Sequence, residues 1–149
     1  MCRLTAIYLM AFVFSAFAQA QPACTEAENR RSEEEASTIR AWDALYRSYT
    51  LYARCNNVAA AEGYSESVAR ILVDHWNTLP RLAALGTRNR NFRVFVLDHV
   101  DATLDMKDVE TIRSKARTVC PNGLRSLCAE LSKRANTAME ENASDVRKR

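Results

Sequence analysis

An all-α fold, a compact disulfide-stabilised bundle of five to six helices, is what the sequence predicts, and three observations predict it. Apolar residues recur at three- and four-residue intervals over long stretches, the period of a helix with one buried face. Turn formers are scarce, with glycine only at Gly63, Gly86 and Gly123 and proline only at Pro22, Pro80 and Pro121. Four cysteines follow a segment with the pattern of an export signal, and an even cysteine count in an oxidising compartment reads as paired.

That signal occupies residues 1–20. It has a cationic start at Arg3, an apolar core over residues 6–17, and the ending Ala18-Gln19-Ala20. This small-x-small ending suits the shallow pockets of signal peptidase. The apolar stretch, about a dozen residues, is short for a bilayer span. The mature protein is therefore expected to begin near Gln21, to be periplasmic or secreted, and to carry no transmembrane segment. One helical domain is expected over residues 21–139, with a flexible polar tail over residues 140–149. Arg3 is the one charged residue in the signal, so its loss lowers the formal charge of +3 by one. This near-balance, with basic residues dispersed along the chain, argues against nucleic-acid binding.

The first helix is read over residues 32–53, with Ser32 and Glu35 spaced as a capping box. Its inward stripe is Ile39, Trp42, Leu45, Tyr46, Tyr49 and Tyr52 or Ala53. Cys55-Asn56-Asn57 then breaks the chain. A second helix over residues 58–77 buries Tyr64, Val68, Ile71, Leu72 and Trp76. Pro80 suits the first turn of a short helix that ends on Gly86 as a left-handed cap, before a polar loop over residues 87–91. A third long helix over residues 91–103 turns Phe92, Phe95, Val96 and Val100 inward. Asp105 and Asp108 suit the start of the next helix, where carboxylates meet the positive end of the helix dipole, and Met106, Val109, Ile112, Ala116 and Val119 form its buried face. Cys120-Pro121-Asn122-Gly123 makes a turn. The final helix buries Leu124, Leu127, Cys128, Leu131, Ala135 and Met139.

Cys2 leaves with the signal, and Cys24, Cys55, Cys120 and Cys128 remain. Neither a lipid anchor at Cys24, which Gln21-Pro22-Ala23 precedes, nor a zinc site lacking any C-x-x-C pair fits as well as two disulfides. Three pairings exist. A continuous helix over residues 32–53 would hold its ends about 30 Å apart, which separates Cys24 from Cys55. Cys120 and Cys128 close a small loop only if the last helix starts late. The helix geometry thus favours long-range links of Cys24 and Cys55 to Cys120 and Cys128.

Candidate chemistry is sparse, and no catalytic residue is assigned. His75 and His99 each follow an aspartate and are weak metal candidates, because both sit on apolar stripes while the aspartates turn about 100° away. Asp98, Asp101, Asp105 and Asp108 lack the glycine and alternating ligands of a calcium loop and read as helix-end residues. No metal or other cofactor is expected. The stripe Trp42, Tyr46, Tyr49 and Tyr52 is the candidate ligand groove, since tyrosines offer large contact area with few rotors.

Tyr52-Ala53-Arg54-Cys55-Asn56-Asn57, Ala61-Glu62-Gly63-Tyr64-Ser65-Glu66-Ser67-Val68, Phe95 to Leu104, and the Cys120-Pro121…Cys128 ending resemble small exported proteins of Gram-negative bacteria that carry no assigned activity. The resemblance implies a periplasmic or secreted location and no catalytic residues. The expected function is a non-catalytic binding or interaction module of the cell envelope. Its partner would be a protein, a peptide or an apolar ligand, and the sequence carries no signal for oligomeric state. The alternative is a small envelope-directed hydrolase using carboxylates or the two histidines.

Overall fold

The computed structural model describes residues 23–55 and 57–148, so residues 1–22, which include the segment read as an export signal, together with Asn56 and Arg149 lie outside the described residues. Seven α-helices make up the described chain: α1 (Glu26–Ala36), α2 (Trp42–Tyr52), α3 (Val58–Asp74), α4 (Leu79–Arg88), α5 (Arg90–Asp98), α6 (Met106–Thr118) and α7 (Arg125–Lys148). The all-α class holds, with more helices than the five to six expected.

The extra helix arises where the sequence predicted a single rod. Thr25, not Ser32, caps the first helix: its hydroxyl accepts from the Glu28 amide while Glu28 accepts from the Thr25 amide. Ser32 and Glu35 lie inside α1, and the chain then reverses over residues 37–41 into α2. Two hydroxyls hold the reversal. Thr38 Oγ1 donates to the Glu35 carbonyl at 2.9 Å. Ser67 of α3 donates to the Ala36 carbonyl and accepts from the Ile39 amide at 3.1 Å. Carbonyls and amides that would have continued the helix are thus satisfied from outside it.

α3 is the hub. Asn57 caps it by accepting from the Ala60 amide at 3.0 Å, and Ala60, Tyr64, Val68, Ala69, Ile71 and Leu72 are fully enclosed. α1 lies close on α3 because Gly63 has no side chain. A Cβ there would sit 2.8 Å from the Ala36 Cβ and 3.0 Å from the Ser37 amide nitrogen. α3 ends at Asp74, earlier than predicted, and Trp76–Thr78 form a 3-10 turn. Trp76 is buried and donates its Nε1–H to the Val119 carbonyl at 2.9 Å. His75, read as inward, is exposed because the helix has already ended.

Gly86 does not terminate α4, which continues to Arg88. It lies buried where a Cβ would come 3.0 Å from the Arg93 Cβ, so it lets α5 pack closely. Asn89 caps α5, Asp105 caps α6, and Gly123 at φ +80° makes the predicted turn before α7. Val119 is exposed rather than buried, since α6 stops at Thr118. α7 is helical through Lys148, so the segment read as a polar tail extends the last helix. Ion pairs join neighbouring helices: Arg81 to Asp43, Arg70 to Asp108, Arg93 to Glu130 and Arg134 to Asp98.

Both disulfides are local. Cys24 bonds Cys55 with Cα atoms 5.2 Å apart, and Cys120 bonds Cys128 at 6.1 Å. This corrects the long-range pairing, and the α1–α2 reversal is the reason: two antiparallel helices of 11 residues bring Cys24 back beside Cys55. The second link forms because α7 starts late enough, at Arg125, for its first turn to face Cys120. Among the described residues no helix is long and apolar enough to cross a membrane.

Candidate ligand-binding site

The aromatic stripe of α2 divides once folded. Trp42 is 2% exposed and belongs to the core, whereas Tyr46, Tyr49 and Tyr52 are half-buried. Tyr46 and Tyr49 meet α5 along one seam of rings. The Tyr46 ring lies edge-on to Phe92 at 4.9 Å, and Tyr49 tilts against Phe95 at 4.9 Å. Phe95 continues the seam to Tyr64 of α3 at 5.2 Å and to His99 at 4.2 Å. Offset and edge-to-face contacts of this kind add to the area the rings bury. They also fix the direction of the outermost ring.

The inner end of the seam closes on hydroxyls. Ser48 Oγ donates to Glu35 Oε1 at 2.5 Å, so its lone pairs accept the Tyr64 hydroxyl at 2.8 Å. With its proton given to Ser48, Tyr64 then accepts from Ser32 at 3.3 Å. The chain Ser32 to Tyr64 to Ser48 to Glu35 satisfies each buried hydroxyl and leads to a half-buried carboxylate. Single-sequence reading missed this network, because its members fall on three helices and Ser32 and Glu35 mimic a cap.

The outer end opens. Tyr49, Thr50, Ala53 and Arg54 of α2 and the turn after it, with Asn89 and Asn91 at the start of α5, line a depression of about 310 Å³. Burial, with Tyr46 alongside, raises the Tyr49 phenol above its usual range, so it stays a neutral donor. Asn89 uses its Oδ1 on the Phe92 amide and keeps its amide N–H groups for other partners. Thr50 donates to the Tyr46 carbonyl at 2.7 Å and keeps its lone pairs. Arg54 is anchored by Glu28 and by the Leu51 carbonyl. The result is one aromatic wall with a rim of donors and acceptors. The polar character of residues 87–91 was legible in sequence; its position against Tyr49 was not.

The remaining candidates do not converge. His75 is exposed at the end of α3, while His99 is buried against Phe95 with Nδ1 2.7 Å from the Phe95 carbonyl. Burial lowers the His99 pKa; its hydrogen bond to Phe95 and the charges of Asp101 and Asp98 oppose that shift. Among the described residues, the one group of three metal-ligating side chains in mutual reach is Cys24, Glu28 and Cys55, whose two sulfurs are bonded to each other. The four aspartates are dispersed onto separate partners. Asp98 pairs with Arg134 and Asp108 with Arg70. Asp101 accepts from Ser65 and the Thr103 amide, and Asp105 accepts from the Lys107 amide. Comparison with protein families, curated proteins and solved structures finds no match.

Proposed function

We propose that this chain is an exported, non-catalytic binding module of the cell envelope that receives a peptide or an apolar small molecule on the Tyr49 face. The observation that carries the reading is the seam of rings that fixes Tyr49 as the wall of an open depression rimmed by Asn89, Asn91 and Thr50. One rigid ring beside the polar side chains of Thr50, Arg54, Asn89 and Asn91 supplies contact area from the ring and orientation from the rim. The two disulfides support an extracytosolic setting, because thiols of this kind stay oxidised there. The engagement of Asp98, Asp101, Asp105 and Asp108 with arginines and amides supports binding over hydrolysis at that cluster, since each of these four already has a structural partner.

Titration of isotope-labelled mature protein with short peptides bearing one apolar side chain tests this. The amides of Thr50, Asn89 and Asn91 are expected to shift together. Tyr49→Ala should abolish the response, while Tyr49→Phe, which keeps the wall, should retain most of it. Shifts centred on another face, or a response unchanged in Tyr49→Ala, would overturn the assignment.

A further inference from the structure

A second groove, on other helices, differs in character from the Tyr49 face. Where α6 meets α7, a cleft of about 490 Å³ runs alongside the Cys120–Cys128 link. Three cations, Arg117, Arg125 and Lys133, line it together with Ser132 and Asn136, and no carboxylate does. None of the three joins an ion pair among the described residues, whereas Arg54, Arg70, Arg81, Arg93 and Arg134 each hold an acid on another element.

The asymmetry follows from the helix period. Glu130 and Arg134 point from α7 toward α5, where they pair with Arg93 and Asp98. Arg125, Ala129, Ser132, Lys133 and Asn136 share the opposite side of the helix. On that side the next carboxylate is Glu140, about 10 Å beyond Lys133 along the axis. Ala129 and the disulfide keep the floor shallow, so an incoming backbone can lie between the cations. Arg125 and Lys133 are eight residues apart, about 12 Å along α7. Two side chains four residues apart on one face of an extended peptide are about 13 Å apart. The spacing of the unneutralised charges therefore matches an extended chain better than a single compact anion.

We infer that the α6–α7 groove binds an extended acidic peptide segment of a partner protein, with carboxylates four residues apart set on Arg125 and Lys133 and Arg117 closing the opposite wall. Ser132 and Asn136 then meet the peptide's backbone groups. This site stands independently of the Tyr49 face.

Fluorescence anisotropy with a dye-labelled glycine–serine peptide carrying two glutamates four residues apart is the test. Binding is expected at low salt, absent for the same peptide with glutamine in place of glutamate, and weakened several-fold as salt rises to 0.3 M. Each of Arg117→Ser, Arg125→Ser and Lys133→Ser should weaken it by about three- to fivefold. These side chains are exposed, so unchanged helical circular dichroism is expected in each. Arg47→Ser with Arg88→Ser, two exposed cations on α2 and α4, should leave binding intact. Equal binding of the glutamine peptide, equal loss in the Arg47/Arg88 control, or no loss in the groove variants would overturn the inference. So would saturable binding of pyrophosphate or phosphatidylglycerol vesicles at the groove without binding of the acidic peptide.

Discussion

Gly63 and His99 show how single positions set the properties of this core. An alanine in mid-helix is ordinarily better than glycine by about 1 kcal/mol. At Gly63 the added methyl would meet the Ala36 Cβ and the Ser37 backbone, which cannot yield as a flexible side chain would. Gly63→Ala should therefore lose about 1–2 kcal/mol net, seen as a lower urea midpoint with unchanged slope. An unchanged or higher midpoint would mean that α1 does not pack on α3 at this distance. His99 gives a pH signature. Burial favours its neutral ring, so its folded pKa lies below the 6.5 of a free histidine. Above that pH both states are neutral at this site. As pH falls through 6.5 the unfolded chain takes up a proton that the folded chain resists, and stability declines by at most about 1.4 kcal/mol per pH unit until the folded ring titrates. Asp101 and Asp98 moderate the effect without reversing it. Thermal midpoints of His99→Asn should accordingly decline less than wild type below pH 6.5.

At the scale of elements, the helical period identified the core of α3, α5, α6 and α7, because apolar spacing is a local property. Val68, Ile71, Leu72, Val96, Val109, Ile112 and Leu131 are buried as their spacing predicts. The break between α1 and α2 was not legible, because its cause is distant: the Ser67 hydroxyl, 28 residues from Ile39 and 31 from Ala36, satisfies the Ala36 carbonyl and the Ile39 amide. That one reversal also decides which cysteines meet. Gly86 misled for a similar reason, since its role is to admit Arg93 rather than to end α4. Ser67→Ala would leave the Ile39 amide and the Ala36 carbonyl buried without this partner, and should lose about 1–3 kcal/mol. A loss much below that range would place the cause of the reversal elsewhere. Removing Cys24–Cys55 by double serine substitution should lose roughly 2–4 kcal/mol, measured by the same unfolding curves.

Across the described residues, two disulfides lie at the ends of two helical hairpins, and a seam of rings on α2, α3 and α5 runs from Glu35's hydroxyl network to the open face at Tyr49. The stripe Trp42, Tyr46, Tyr49 and Tyr52 was visible in sequence, but which ring would face outward depended on where α5 packs. The rim supplied by Asn89 and Asn91 depended on the same placement. Charge told less: the near-neutral total concealed that three cations without an ion pair among the described residues, Arg117, Arg125 and Lys133, line one groove beside Cys120–Cys128. We propose that the chain is exported; the two disulfides each lie within one hairpin and lock it in place. Non-reducing peptide mapping by mass spectrometry, on full-length protein recovered from the periplasm of an expressing bacterium, tests that claim most directly. It should return a chain beginning at Gln21 with Cys24 joined to Cys55 and Cys120 to Cys128. Retention of residues 1–20, free thiols, or links crossing between the two pairs would contradict it.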